Sequence, residues 1–139
     1  MSKLLESYVL IGFVLAAGEC LLNLERWQEL LETLEKVNLV KDYLIPANRV
    51  LRLDRQKVIA LYHLGNYAEA LILLDIILDE TDENIPDEDI AECFEIRGKI
   101  KFEKSPNSAV ADLQSAVKMY ELTGHKESAR ELTARYKLA

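Results

Sequence analysis

The chain has 139 residues, of which 24 are acidic and 17 basic, giving a formal charge of −7. Half of them are apolar, which excludes an intrinsically disordered chain, and this length can bury about two-thirds of its unfolded surface without disulfide or metal support. Five Gly and three Pro argue against a many-turned β architecture, and the acidic balance argues against a nucleic-acid partner, because phosphate binding takes a basic surface.

The first element is an apolar helix over about 3–22. Its run from Val9 to Gly18 carries no charge. It is too short to span a bilayer, which takes about 20 apolar residues. It is also a poor secretory signal, because Glu6 sits where positive charge is wanted. Asn23 to Arg26 separates it from a second helix over about 26–37. Pro46 suits the first turn of a third helix running to Leu64. Gly65-Asn66 is a C-cap and turn signal, and Ala70, Leu73, Leu74, Ile77 and Leu78 then recur at helical spacing over 67–79. Glu80 to Ile85 reads as a polar loop. Pro86 is expected to open a helix to Glu103, with Asp87, Glu88 and Asp89 beside its positive dipole end. Ser105-Pro106 starts the next as N-cap and first helical position, and Gly124 stops it. The last helix covers about 126–138.

Three of these helices carry the same apolar triplet. Leu30, Leu34 and Val37, then Ala70, Leu74 and Ile77, then Ala109, Leu113 and Ala116 all have spacing +4 and +7, and the sets start 40 and 39 residues apart. Each marks the second helix of a helix pair. The middle stretch, Leu64-Gly65-Asn66-Tyr67-Ala68-Glu69-Ala70 followed by Leu74 and Ile77, resembles the tetratricopeptide repeat (TPR). The first pair is similar through Gly18, Leu21, Trp27, Leu30, Leu34 and Val37, with Trp27 standing where Tyr67 stands. The third is similar through Ala109, Leu113 and Ala116, although Pro106-Asn107 replaces the Gly-x-Tyr turn and Gly98 is one position out of register. A final half-repeat uses Tyr120, Gly124 and Ala129. The period of 39–40 exceeds the family's 34, and the family's helix-ending Pro is missing; a HEAT-like solenoid is the structural alternative. The resemblance implies an all-α, right-handed α-α superhelix in one domain over 1–139. Its pairs would cover about 8–40, 46–80 and 86–122, with a C-terminal capping helix over about 126–138.

In that family the first helix of each pair lines a concave face that holds an extended peptide or a partner helix. By register the groove here presents Leu15, Glu19 and Leu22, then Arg52, Arg55, Ile59 and Tyr62, then Phe94 and Lys101. Arg52, Arg55, Ile59 and Tyr62 share one helix face, and an Arg pair beside an aromatic suits a carboxylate-bearing peptide. The alternative is a solvated Arg face with Tyr62 half-buried. The family's carboxylate clamp would fall on Gly12, Ala16, Arg52, Gln56, Ala91 and Glu95, and one basic residue among six is not a clamp.

The remaining chemistry is sparse. Cys20 and Cys93 lie 73 residues apart in apolar stretches and read as reduced core thiols in the cytoplasm or nucleus. Asp79 to Glu92 holds eight carboxylates in fourteen residues but lacks the Gly and bidentate Glu of a calcium loop; it reads as a solvated loop that could dock a basic surface. His63 and His125 have no partner at zinc spacing. No motif points to an enzyme, a cofactor or a metal. The first helix is apolar almost all round, and such a helix must be covered. A homodimer through Val9, Leu15 and Leu22 would do it, as would a fold-back of Leu39 to Ile45. The expected function is therefore a self-associating interaction scaffold or adaptor for a protein or peptide, with a small chaperone for unfolded clients as the second class.

Overall fold

A computed structural model of the chain describes residues 3–36 and 47–138. The fold is all-α. Among the described residues there are seven helices: α1 (Lys3–Asn23), α2 (Trp27–Glu35), α3 (Ala47–His63), α4 (Tyr67–Asp79), α5 (Glu88–Lys101), α6 (Pro106–Leu122) and α7 (Lys126–Tyr136). Pro46, Val37 of the first triplet and the expected cover from Leu39 to Ile45 lie outside the described residues. The chain divides into two compact units, 1–70 and 71–139, with the boundary inside α4.

In the first unit, α1 packs on both α2 and α3. Its core holds Ile11, Val14, Leu15, Leu30, Leu34, Leu53 and Ala60, with Leu10, Leu21, Leu22, Trp27 and Leu31 packed around it. The chain leaves α1 and α3 through one turn geometry. Glu25 N–H donates to Leu22 O (3.1 Å) and Arg26 N–H to Leu21 O (2.9 Å); Gly65 N–H donates to Tyr62 O (3.1 Å) and Asn66 N–H to Leu61 O (2.9 Å). These paired bonds are the Schellman closure, which satisfies the last helical carbonyls with one residue in the left-handed region. That residue is Gly65 (φ 80°) after α3, where no Cβ resists it, but Glu25 (φ 57°) after α1, where one does.

In the second unit, the C-terminal part of α4 is followed by α5, α6 and α7; α5 packs on α6 and α6 on α7. Its buried residues include Ile77, Ile90, Cys93, Phe94, Ile96, Ala109, Leu113, Ala116, Met119, Tyr120, Ala129 and Leu132. The junction after α6 repeats the same closure, with Gly124 N–H on Glu121 O (3.2 Å), His125 N–H on Tyr120 O (2.8 Å) and Gly124 at φ 82°. The junction before α6 does not: Ser105 N–H bonds Lys101 O (2.8 Å), and Pro106 opens α6. Pro86 does not open α5, contrary to expectation. Asp87 does, as an N-cap whose carboxylate accepts from Asp89 N–H (2.8 Å) and Ile90 N–H (3.3 Å). A side-chain acceptor outweighs the Pro signal because it satisfies two orphan donors at once.

Every described member of the three triplets is buried: Leu30, Leu34, Ala70, Leu74, Ile77, Ala109, Leu113 and Ala116. Gly98 explains the close approach of α5 to α6. A Cβ there would lie 2.7 Å from Leu113 Cγ and 3.2 Å from Ala109 O.

Candidate functional site

In the first unit α3 offers Arg52, Arg55, Ile59 and Tyr62 in one row. Arg55 Nη1 lies 2.8 Å from Glu19 Oε1 of α1, an ion pair between two residues both assigned to the groove. Beside it Gln56, fully buried, donates from Nε2 to Leu15 O (3.1 Å) and Glu19 Oε1 (3.2 Å). Its Oε1 has no hydrogen-bond partner among the described residues and faces Gly18, where a Cβ would sit 2.1 Å away. Glu19, Arg55 and Gln56 therefore form a polar clasp that ties α1 to α3, and Gly18 is needed for α1 to come that close.

Ile59 is not on an open surface as expected; it is 7% exposed. Arg52 is exposed, and Tyr62 is half-buried against the rings of His63 (5.3 Å) and Tyr67 (5.7 Å). In the second unit Phe94 is likewise buried, at the base of a small concavity with Lys118 and Leu122, and the Arg97 guanidinium lies 5.8 Å from its ring centroid. Lys101 is half-buried, its Nζ 3.6 Å from Asp112 Oδ2. Of the six proposed groove residues, Arg52 is exposed, while Arg55, Tyr62 and Lys101 are half-buried, Arg55 and Lys101 beside carboxylates.

The self-association residues also separate. Val9 is 61% exposed, Leu22 is half-buried, and Leu15 is buried, because it points with Ile11 and Val14 into the core. Leu15 cannot be an interface residue in this arrangement. Phe13, passed over in the sequence, is 74% exposed. Cys93 is buried as expected, but Cys20 is not: it lies on the exposed side of α1.

Several polar pairs had no signal in the sequence. Arg97 grips Asp112 through Nε (2.9 Å) and Nη2 (2.7 Å) and reaches Asp75 through Nη1 (3.1 Å). Burial lowers the Arg97 pKa, but the hydrogen bonds and charge of Asp112, helped by Asp75, reverse this and hold it above the ordinary value. The Tyr120 hydroxyl donates to Glu95 Oε1 (2.8 Å), and Glu95 also pairs with Lys99. Burial pushes the Tyr120 phenol well above its ordinary range, reinforced by the charge of Glu95 and, more weakly, of Glu92 and Glu88. The Arg97–Asp112 and Tyr120–Glu95 contacts join α5 to α6, and Asp75 ties Arg97 to α4.

The acidic segment is occupied with its own backbone. Asp82 accepts from Asn84 N–H (2.9 Å), and Asp87 caps α5. His125 Nε2 lies 3.2 Å from Glu88. Among the described residues no group of three or more His, Cys, Asp or Glu could hold a metal ion. No helix among them is long and apolar enough to cross a membrane. An open groove on the second unit, also unforeseen, is lined by Glu121, Lys126, Ala129, Arg130, Thr133 and Ala134 along α6 and α7. In comparison with known proteins, the chain matches no family model, no curated protein and no solved structure.

Proposed function

We propose that this protein is an interaction scaffold of the TPR-like class, a self-associating adaptor that holds a peptide or partner helix and works in the cytoplasm or nucleus. The observation that carries the reading is the recurring junction: one Schellman closure after α1, α3 and α6, each leading into a helix whose Leu30, Ala70 or Ala129 is buried five residues beyond the left-handed position. Repeated helix hairpins are a scaffold that presents long surfaces to other chains. Large apolar side chains left outside the core support it further: Val9 and Phe13 on α1, Ile72 and Ile76 on α4. Arg52 and Tyr62 are the residues proposed to meet an acidic or carboxylate-bearing peptide.

The test is capture from native lysate followed by native mass measurement. A scaffold gives a discrete complex of fixed stoichiometry that weakens with Arg52→Glu or Tyr62→Ala while helicity by circular dichroism stays unchanged. Heterogeneous binding of unfolded apolar segments would favour the chaperone reading instead. Full binding by both variants would remove Arg52 and Tyr62 from the site.

A further inference from the structure

The outer face of α1 has an order that the core does not require. From Val9 to Leu22 its exposed residues are Val9, Phe13, Ala16 and Cys20, with Asn23 exposed at its C-terminal end, while Ile11, Val14, Leu15 and Gly18 are buried on the opposite side. The exposed set steps by 4, 3 and 4, which is the seam of a heptad. It carries no charge, and its bulk is graded, with the larger Val9 and Phe13 before the smaller Ala16 and Cys20, so that each larger residue has a smaller counterpart. Position numbers of Val9 and Cys20 sum to the same value as those of Phe13 and Ala16. A two-fold axis between Val14 and Leu15 therefore exchanges Val9 with Cys20 and Phe13 with Ala16.

We infer that the chain forms a two-fold homodimer in which this face of α1 pairs antiparallel with the same face of a second copy, Phe13 over Ala16 and Val9 over Cys20. The inference rests on the self-association proposed above and gives it a register. An isologous contact must be self-complementary, and this seam is. Parallel pairing would stack Phe13 on Phe13 and leave Ala16 opposite Ala16, one layer overfilled and the next void. Antiparallel packing matches large to small in both layers and sets the helix dipoles against each other favourably. The seam supplies roughly 700 Å² over the two copies, so flanking surface that includes Leu24, 63% exposed, must bring it to the roughly 1,000 Å² a specific interface needs.

Cys20 makes the register readable. With the axis between Val14 and Leu15, the two Cys20 residues stand about 16 Å apart along the helices, beyond disulfide reach, because the helix rises about 1.5 Å per residue. The experiment uses the full chain in light scattering, then mild oxidation and non-reducing electrophoresis. Wild type is expected at twice the chain mass, with no Cys20–Cys20 cross-link. Phe13→Glu is expected to fall to one chain mass with helicity retained, since the side chain lies outside the core. Val9→Cys is expected to cross-link to the second copy's Cys20, and the bond is lost when Cys20→Ser is added. A wild-type Cys20–Cys20 bond, or a Val9→Cys bond that survives Cys20→Ser, would overturn the antiparallel register but leave self-association standing. A dimer that Phe13→Glu does not disturb, and that Val9→Cys never cross-links, would remove α1 from the interface. A wild-type monomer at every concentration would overturn both the register and self-association, leaving peptide binding to its own test.

Discussion

Gly98→Ala pits local propensity against packing. In the middle of a helix, Ala is favoured over Gly by about 1 kcal/mol. The new Cβ, however, would lie 2.7 Å from Leu113 Cγ, 2.8 Å from Leu113 Cδ2 and 3.2 Å from Ala109 O. Leu113 is fully buried and its branch carbon cannot swing aside, and Ala109 O is backbone. Overfilling costs about 1–3 kcal/mol, and contact with a buried branch carbon and a backbone oxygen places this site at about 2–3 kcal/mol, so the substitution should lose about 1–2 kcal/mol once propensity is credited. Urea unfolding followed by circular dichroism reads the loss, and hydrogen exchange should show it concentrated in the amides of α5 and α6. Adding Leu113→Ala, which alone costs about 2–5 kcal/mol, should cost less than the two singles combined, because the first substitution then fills part of the cavity. A neutral or stabilising Gly98→Ala would mean that α5 and α6 are not in such close contact, and the packing argument for the second unit would fail.

Asp112→Ala should destabilise by about 3–5 kcal/mol in the same assay, since it strands the Arg97 guanidinium, largely buried, with Asp75 as its remaining carboxylate of that group. Tyr120 predicts alkaline lability. Its folded-state pKa lies above the unfolded value, so above about pH 10 the unfolded chain releases a proton that the fold retains, and stability falls by up to about 1.4 kcal/mol per pH unit from this group. Tyr120→Phe should cost about 1 kcal/mol at neutral pH, through loss of the bond to Glu95, and should flatten the alkaline slope relative to wild type; an unchanged slope would discount the phenol. Glu25→Gly should raise stability by about 0.5–1 kcal/mol, because Gly adopts the left-handed turn after α1 without steric penalty, and thermal unfolding checks the sign.

Much of the helical architecture was legible where local signals were strong. Gly65-Asn66 followed by an apolar 3–4 spacing placed α4 at its observed bounds, and the buried triplets needed only periodicity. The break after α1 is legible at Asn23 to Arg26, but its closure is not, because Glu25 takes the left-handed position without being Gly, and α5 begins at its Asp87 cap rather than at Pro86. The candidate site was less legible. Arg52, Arg55, Ile59 and Tyr62 do share a row, but register alone cannot say that Glu19 neutralises Arg55 or that Ile59 is covered. Arg97 with Asp112, and Gln56 with Gly18, join different helices and leave no periodic trace. The uniformly apolar α1 gives no sign of which side is spent on the core, so spacing alone neither buries Leu15 nor singles out Phe13.

Trp27 stacks face to face on the His63 imidazole, with ring centroids 4.1 Å apart and planes within 6°. It is the only tryptophan in the chain, and both rings belong to the first unit. Its fluorescence is consequently a built-in optical gauge for that half of the molecule alone: emission tracks whether α2 and α3 remain together, while the other half contributes no indole signal. Any ligand, variant or pH change can thus be assigned to one unit without a label.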